Sequence, residues 1–253
     1  MENLILGNKI IRLDRVESTN SYLQEILLKQ NCHEGLVVIA DYQTSGRGQR
    51  GSLWESEIGK NLIFSFWLKP MIEIENQFLI SKVIALGVVD FLKKQTTHSV
   101  HIKWPNDILI NYKKAAGILI ENTLDSKIIN GSVVGIGLNV NQDSFGRFPY
   151  ATSLSIEAKK EFVLEDILSE LLKHIEVRYF QLKNGLFDKI NSDYLNNLLG
   201  YQKVLKYSVV GVTTYGEIAG VSKNGKLQLK VNSQLQEYDL KEISLDFNDL
   251  QTR

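Results

Sequence analysis

Residues 100–140 of the chain read VHIKWPNDILINYKKAAGILIENTLDSKIINGSVVGIGLNV. This segment contains four apolar runs separated by short polar turns, at residues 100–104, 108–111, 115–121 and 131–140. Turns this short leave no room for crossover helices, so consecutive runs are expected to pair as antiparallel strands. The segment therefore predicts an antiparallel meander within the main sheet.

The sequence around this meander alternates between further strands and helices. Ser18, Thr19 and Asn20 form a cluster of helix N-cap residues, and apolar side chains at helical spacing follow them. Apolar runs and helical periodicity predict the remaining elements. They are buried strands at residues 36–40 and 62–68, and helices at residues 76–94, 164–182 and 186–199.

The character of the chain changes after Gly200, where only short β-like runs remain. Asn224-Gly225 separates two such runs and is a strong hairpin signal. We therefore predict an α+β protein with two domains. Residues 1–199 are expected to form a mixed, largely antiparallel sheet flanked by helices, and residues 200–253 a small, barrel-like β domain.

Composition narrows the function classes. Lys and Arg total 29 and Asp and Glu total 29 in 253 residues, so nothing indicates a surface that coats nucleic acid. The single cysteine, Cys32, cannot form an internal disulfide, which is typical of a reducing cytoplasm. The sequence shows no signal peptide and no apolar run that could span a bilayer. A cytoplasmic location with no membrane partner is therefore expected.

The loop at residues 46–51 reads GRGQRG and formally satisfies the G-x-G-x-x-G pattern of dinucleotide-binding proteins. That pattern requires the last glycine to open a helix, but residues 52–59 lack helical apolar spacing. No acidic residue follows about 20 positions later to hold a ribose. The dinucleotide-binding interpretation is therefore rejected. Two arginines among three glycines remain, as an anion-binding loop or as an exposed basic loop.

Three further segments carry candidate chemistry. They are KWPND at residues 103–107, KKAAGILIE at residues 113–121 and GIGLN at residues 135–139. Taken singly, the first is typical of a turn and the second of a solvated strand end. The third is a strand interrupted by glycines, which indicates a bulge or the close approach of a ligand.

In order and spacing these segments, together with Ser18-Thr19-Asn20 and Gln43, resemble the biotin protein ligase family. The matching run is STNSYL…DYQTSGRGQRG..W…KWPNDIL…KKAAGILIE…GIGLNVN. The resemblance implies a fold related to class II aminoacyl-tRNA synthetases, followed by a small SH3-like barrel. It implies that biotin and MgATP give biotinyl-AMP, which then acylates a lysine of a biotin carboxyl carrier domain. A lipoate or octanoate ligase and a non-catalytic biotin sensor are the alternatives.

The resemblance also assigns roles to individual residues. Those expected to be catalytic are Lys114, Arg47 and Asp107. Those expected to bind biotin are Ser18, Thr19, Asn20, Gln43, Arg47, Gly48, Gln49, Lys114, Gly117, Gly135 and Gly137. Those expected to bind the nucleotide are Arg50, Trp54, Lys103, Asn106 and Asn139. No metal site built from protein side chains is expected, because the four histidines are not joined by a cysteine or carboxylate cluster.

Two departures from the family pattern bear on function. Gln49 stands where many relatives carry a second arginine, so weaker retention of the adenylate is expected. Ser18-Thr19-Asn20 comes too soon after residue 1 for a preceding helix-turn-helix domain, so a ligase without a DNA partner is expected. Homodimers that form through the sheet edge occur in the family, so both a monomer and a homodimer are open alternatives for this chain. The only role suggested for the C-terminal domain is to help with ATP or with the carrier protein.

Overall fold

The structure is a computed structural model that describes residues 5–246. Its strands are β1 (Ile10–Val16), β2 (Val37–Gln43), β3 (Leu62–Leu68), β4 (Ile72–Glu73), β5 (Val100–Lys103), β6 (Asp107–Ile110), β7 (Lys113–Asp125), β8 (Ile128–Leu138), β9 (Val204–Val209), β10 (Val212–Val221), β11 (Leu227–Val231), β12 (Gln234–Tyr238) and β13 (Ile243–Leu245). Its helices are α1 (Thr19–Lys29), α2 (Phe78–Gln95), α3 (Leu154–Ala158), α4 (Leu164–Lys183) and α5 (Phe187–Asn197).

The larger sheet has the strand order β1-β2-β3-β8-β7-β6-β5, and β4 pairs with β8. The predicted meander is confirmed, because β5 to β8 pair consecutively and antiparallel. Strand β1, which the apolar pattern did not predict, pairs in parallel with β2 at one edge. The prediction of a mixed, largely antiparallel sheet flanked by helices is therefore confirmed.

The two faces of this sheet are covered by different helices. On one face α2 is buried along most of its length and packs against α4 and α5. Gly87 allows that packing, because a Cβ there would lie 2.6 Å from the Cα of Ile175 in α4. On the other face Leu23 of α1 packs with Val38 of β2 and Val133 of β8. The floor of the functional site is the part of this second face that α1 leaves uncovered.

The smaller sheet has the order β12-β11-β10-β9-β13. The hairpin predicted at Asn224-Gly225 is confirmed as the antiparallel pair β10–β11. The prediction of an SH3-like barrel needs correction, because the described strands form an open path whose two ends, β12 and β13, do not pair. Strand β13 is three residues long, and its backbone bonds go to β9.

The smaller sheet packs on the larger one. Its apolar residues Leu205, Tyr207 and Leu229 belong to the same buried core as helix α2. The indole Nε1 of Trp104 donates to the carbonyl of Gly225, at 2.8 Å. The turn after β5 is therefore fixed against the C-terminal hairpin. No helix within residues 5–246 combines the length and the apolar character needed to cross a membrane.

Candidate active site

Three glycines form the floor of the site on the central strands. Gly117 of β7 pairs with Gly137 of β8, and Gly135 lies two residues earlier on the same face. A Cβ at Gly137 would lie 2.3 Å from the indole of Trp54, and a Cβ at Gly135 would lie 2.3 Å from Oδ1 of Asn20. Side chains of other residues reach into the space that the glycines leave open, so glycine is required at both positions.

A cavity of about 310 Å³ lies over this floor. That volume falls within the range typical of sites for small molecules. Its walls include Ser18, Thr19, Asn20, Gln43, Arg47, Gly48, Gln49, Ser52, Trp54, Asn106, Asp107, Lys114, Leu240 and Lys241. Leu240 and Lys241 come from the turn between β12 and β13, so the C-terminal part of the chain also contributes to the cavity.

A second cavity of about 490 Å³ adjoins the first and shares Trp54, Asp107 and Lys114 with it. Its other walls include Lys103, Leu109, Tyr112, Asn139, Phe145, Arg147, Phe148 and Tyr150. These walls combine aromatic side chains with the cations Lys103, Lys114 and Arg147, so the second cavity suits a flat ring that carries an anionic group. Two connected compartments with a shared lysine can hold two substrates side by side.

The N-terminus of α1 supplies a cluster of neutral polar groups. Ser18 caps the helix, and its hydroxyl accepts from the backbone N–H of Ser21. Thr19 donates twice to Oε1 of Gln43, from its backbone N–H at 2.7 Å and from its hydroxyl at 3.0 Å. Ser18, Thr19 and Asn20 are buried, so these groups are held in fixed positions. Hydroxyl and amide groups of this kind both donate and accept hydrogen bonds.

Ser65 joins this cluster from the centre of β3. Its hydroxyl is fully buried and lies 2.7 Å from Oγ1 of Thr19 and 2.5 Å from Oδ1 of Asn20. On the other side of the amide, Nδ2 of Asn20 donates to Oε2 of Glu121 at 2.7 Å. The same carboxylate oxygen accepts from Arg47 at 3.0 Å.

Lys114 carries the central positive charge of the site. Its Nζ lies 2.6 Å from Oδ1 of Asp107 and 5.6 Å from the centroid of the Trp54 ring. Its backbone is fixed by bonds to Tyr150 and Thr152, so the side chain leaves β7 at a defined point. Burial lowers the pKa of nearby Lys103, an effect that Asp107 opposes and that the charge of Lys114 adds to.

The glycine-rich loop closes over the floor as a tight hairpin. The backbone N–H of Gly48 donates to Ser52 at 2.7 Å, and that of Trp54 donates to Gly46 at 3.0 Å. This closure places the Trp54 ring over Gly137, between the two cavities. The indole Nε1 is buried and has no hydrogen-bond partner among the described residues. A buried donor without an acceptor is costly, and a ligand with an acceptor at this point would relieve that cost.

Two asparagines fix the turns at the edge of the site. The side-chain amide of Asn106 donates to the carbonyl of Ile118 at 2.7 Å, and the backbone carbonyl of Asn106 accepts from the N–H of Ile118 at 3.1 Å. Asn139 is buried and donates to the carbonyl of Thr152 at 2.9 Å. Both side chains therefore hold neighbouring segments in place where they line the cavities.

The structure brings the residues singled out from the sequence into these two cavities, with one exception. Lys103 and Asn139 line only the second cavity, and the others line the first. The exception is Arg50, whose side chain lies outside the described residues.

Sequence reasoning missed Ser65, Glu121 and the pair Leu240–Lys241. A single hydroxyl in the otherwise apolar run at residues 62–68 was a signal for Ser65. Glu121 ends the apolar run of β7 as a lone carboxylate, which was a weaker signal. Nothing in the local sequence pointed to Leu240 and Lys241, since only the packing of the two sheets places them at the cavity.

Comparisons with known proteins agree with this geometry. Residues 13–139 match the sequence profile of the biotin/lipoate A/B protein ligase family. The chain is 31% identical to the bifunctional ligase/repressor BirA of Bacillus subtilis over 246 residues, which are 95% of this chain and 75% of that protein. It is 30% identical to the biotin–[acetyl-CoA-carboxylase] ligase of Mycobacterium tuberculosis over 69% of this chain and 66% of that protein.

Among solved structures, the fold is similar to the biotin protein ligase of Aquifex aeolicus in complex with biotin and ATP. The TM-score is 0.78 at 30% identity, over 94% of this chain and 99% of that one. The Bacillus subtilis alignment covers 95% of this chain, and the sequence profile covers the cavity-lining residues up to Asn139. The chain belongs to the biotin/lipoate A/B protein ligase family.

Proposed function

We propose that this protein is an ATP-dependent biotin protein ligase, which makes biotinyl-5'-AMP and pyrophosphate and then transfers biotin to a lysine of a biotin carboxyl carrier domain. One observation carries the proposal: the neutral polar cluster of α1 and the cations Lys114 and Arg47 line the same glycine-floored cavity. Biotin has a neutral ureido ring and a carboxylate, which match those two sets of groups. The named activities of the relatives and the ligands of the Aquifex aeolicus complex support the same reaction.

In the first half-reaction a carboxylate oxygen of biotin attacks the α-phosphorus of ATP, and the bond to pyrophosphate breaks. Attack of one anion on another needs nearby cations to neutralise the charge that develops. Lys114 lies at the junction of the two cavities, where the reacting groups would meet. We assign it to contact both the biotin carboxylate and the α-phosphate, with Arg47 as a second cation.

Biotin is held, in this proposal, by its ureido ring against α1. Ser18, Thr19, Asn20 and Gln43 supply donors and acceptors for its N–H and carbonyl groups. Gly117, Gly135 and Gly137 provide the flat floor. Arg47, Gly48 and Gln49 cover the bound molecule, and closure of their loop excludes water that would hydrolyse the mixed anhydride.

The nucleotide occupies the second, more aromatic cavity. Trp54 lies against the adenine, and Lys103 and Asn139 hold its polar parts within that cavity. Asn106, at the wall of the first cavity, contacts the part of the nucleotide that meets biotin, and a role for Arg50 stays a prediction. Mg²⁺ would bind together with the triphosphate and neutralise part of its charge, since magnesium in such sites is held by phosphates and one or two carboxylates. Asp107 lines both cavities and is the carboxylate that would hold the ion, and no group of three or more His, Cys, Asp or Glu side chains within residues 5–246 forms a separate metal site.

In the second half-reaction the amine of the acceptor lysine attacks the acyl carbon, and AMP leaves. Asp107 lines both cavities, so it can orient the incoming amine beside the adenylate. The acceptor is a carrier domain of a biotin-dependent carboxylase, as the name of the Mycobacterium tuberculosis relative indicates for that protein.

We also propose that residues 200–253 act as a separate small domain that completes the site. Leu240 and Lys241 line the first cavity, and Trp104 of the KWPND turn donates to Gly225. Contacts of this kind suit a domain that helps to bind ATP or the carrier. A homodimer and the lack of a DNA partner stay predictions.

The experiment that tests the proposal is the release of pyrophosphate and the formation of an acyl-AMP, measured with MgATP and either biotin or lipoate. Biotin is expected to support both, because four polar side chains face its ureido ring. Lipoate has no ureido group to bond with them and is expected to support little turnover. Adenylation of lipoate in preference to biotin would contradict the assignment and leave the chain in the lipoate branch of the same family.

A further inference from the structure

We propose that Glu121 is a positioning residue for the substrate site: it sets the orientation of the Asn20 amide and holds Arg47 beside it. The inference rests on the proposed biotin ligase activity. Glu121 lies on β7, on the same face as Gly117, and pairs with Val133 of β8. Among the described residues, Asn20 and Arg47 line the first cavity and Glu121 does not.

The first step of the argument concerns the two ends of the Asn20 amide. An ionised carboxylate only accepts hydrogen bonds, so the neighbour 2.7 Å from Oε2 of Glu121 must be the Nδ2 donor of Asn20. The amide oxygen then faces the hydroxyl of Ser65, at 2.5 Å. A reversed amide would bring two acceptor oxygens together at Glu121, whereas the Ser65 hydroxyl can donate or accept and so allows either orientation.

The second step concerns burial. Asn20 is 3% exposed and Ser65 is fully buried, so water cannot replace a wrongly matched bond. The orientation of this amide decides which substrate group Asn20 can bond, because its oxygen accepts and its nitrogen donates. Glu121 therefore selects the hydrogen-bonding polarity of Asn20 without touching the substrate.

The third step concerns Arg47. The oxygen of Glu121 that accepts from Asn20 also accepts from the Arg47 guanidinium, at 3.0 Å. The Arg47 and Glu121 side chains are 40% and 29% exposed, so solvent weakens this ion pair and a substrate anion can compete for Arg47. One carboxylate thus joins a rigid recognition residue of α1 to the arginine of the glycine-rich loop.

The test compares Glu121→Ala and Glu121→Gln with Asp125→Asn, an exposed carboxylate further along the same strand. Initial rates of biotinyl-AMP formation give KM and kcat, and the melting temperature shows whether each variant keeps its stability. Glu121→Ala is expected to raise KM for biotin by about 10-fold, because the Asn20 amide is no longer held in the orientation that bonds the substrate. Its kcat, its KM for ATP and its melting temperature are expected to change much less. Glu121→Gln keeps an acceptor oxygen and is expected to lie between Glu121→Ala and the control.

A reciprocal pair of variants tests the amide orientation directly. Asn20→Asp places two carboxylates face to face, and Asn20→Asp combined with Glu121→Gln restores a donor opposite an acceptor. The double variant is expected to recover part of the biotin affinity lost in Asn20→Asp, which is a coupling that independent effects cannot produce.

Three results would overturn the inference. Glu121→Ala could match Asp125→Asn in KM for biotin. Both Glu121 variants could lower the melting temperature and kcat and raise both KM values together, which is the effect of a purely structural residue. The double variant could also be no better than Asn20→Asp alone. If the wild type makes no biotinyl-AMP at all, the proposed function fails and this inference fails with it.

Discussion

The ammonium group of Lys114 is paired with the carboxylate of Asp107, with 2.6 Å between Nζ and Oδ1. The two residues come from adjacent strands, β7 and β6, whose register shifts between Ile108 and Leu109. Both side chains line both cavities, so the pair stands where two substrates would meet. Entry of a carboxylate and a phosphate would give Lys114 new anionic partners and release Asp107 for the acceptor amine.

Asp107→Asn tests the role of Asp107 in orienting the acceptor amine. The amide keeps the shape of the side chain but cannot carry the negative charge that orients an amine. We expect transfer of biotin from preformed biotinyl-AMP to a carrier domain to slow by about 10²-fold, the lower end for loss of a general acid–base group. Single-turnover labelling of the carrier measures this step. Transfer at the wild-type rate would remove Asp107 from the second half-reaction.

Gly137→Ala tests the glycine floor. Its Cβ would lie 2.3 Å from the Trp54 ring, so the ring and its loop must shift. Overpacking of this kind costs about 1–3 kcal/mol, and kcat/KM for biotinyl-AMP formation is expected to fall by about 10-fold. Gly220→Ala is the matched control, because its Cβ meets only the flexible end of Gln228, at 2.8 Å. Equal activity of the two variants would show that the floor tolerates a methyl group.

Lys82 provides a prediction about stability and pH. It is buried in α2, where its Nζ donates to Asn191 and lies over the rings of Phe78 and Tyr194. Burial lowers its pKa from 10.5 to about 8. Between those two values the unfolded chain binds more protons than the folded protein, so this residue's contribution to stability rises with pH across that window.

Lys82→Met is accordingly expected to raise the free energy of unfolding at pH 7, by at most about 3 kcal/mol. The lost bond to Asn191 and the lost ring contacts reduce that gain. The advantage should shrink as pH rises from about 8 to 10.5. Denaturant unfolding at several pH values measures it. A variant less stable than wild type at pH 7, or an advantage that does not change with pH, would refute the argument.

Gln49→Arg tests the departure in the glycine-rich loop. Gln49 lines the first cavity, so an arginine there would add a cation near the bound adenylate. We expect slower release of biotinyl-AMP, by about 10-fold, because hydrogen bonds to charged groups are the stronger ones. Gln49→Lys is the control for charge without the planar fork. Rapid filtration measures the rate of release, which should be fastest in wild type, slower in Gln49→Lys and slowest in Gln49→Arg. Any other order would contradict a role for the guanidinium group.

Much of the fold could be predicted because hydrophobic periodicity and turn lengths are local signals. They placed β3, the meander β5–β8 and the long helices close to their observed positions. Strand β1 was missed because its sequence, IIRLDRV, has charged residues that suit an exposed edge strand but break the apolar pattern. Closure of the C-terminal barrel was expected by analogy, and the three-residue β13 does not provide it.

The site could be predicted only as far as its motifs reached. The motifs named the side chains that line the cavities, but not the residues that hold them. Glu121 contacts Asn20 across 101 positions in sequence, and Ser65 contacts it across 45. Such contacts depend on strand order and register, which no local pattern encodes.

The central claim is tested most directly by incorporation of labelled biotin into a biotin carrier domain with MgATP. Wild type, Lys114→Ala and Lys113→Ala are compared, since Lys113 is an exposed lysine next to Lys114 on β7. We predict ATP-dependent labelling by wild type and by Lys113→Ala, and a rate lower by about 10²–10³ for Lys114→Ala, as for removal of one electrostatic donor. Equal rates for the two variants, or no labelling by wild type while biotinyl-AMP is also absent, would contradict the account.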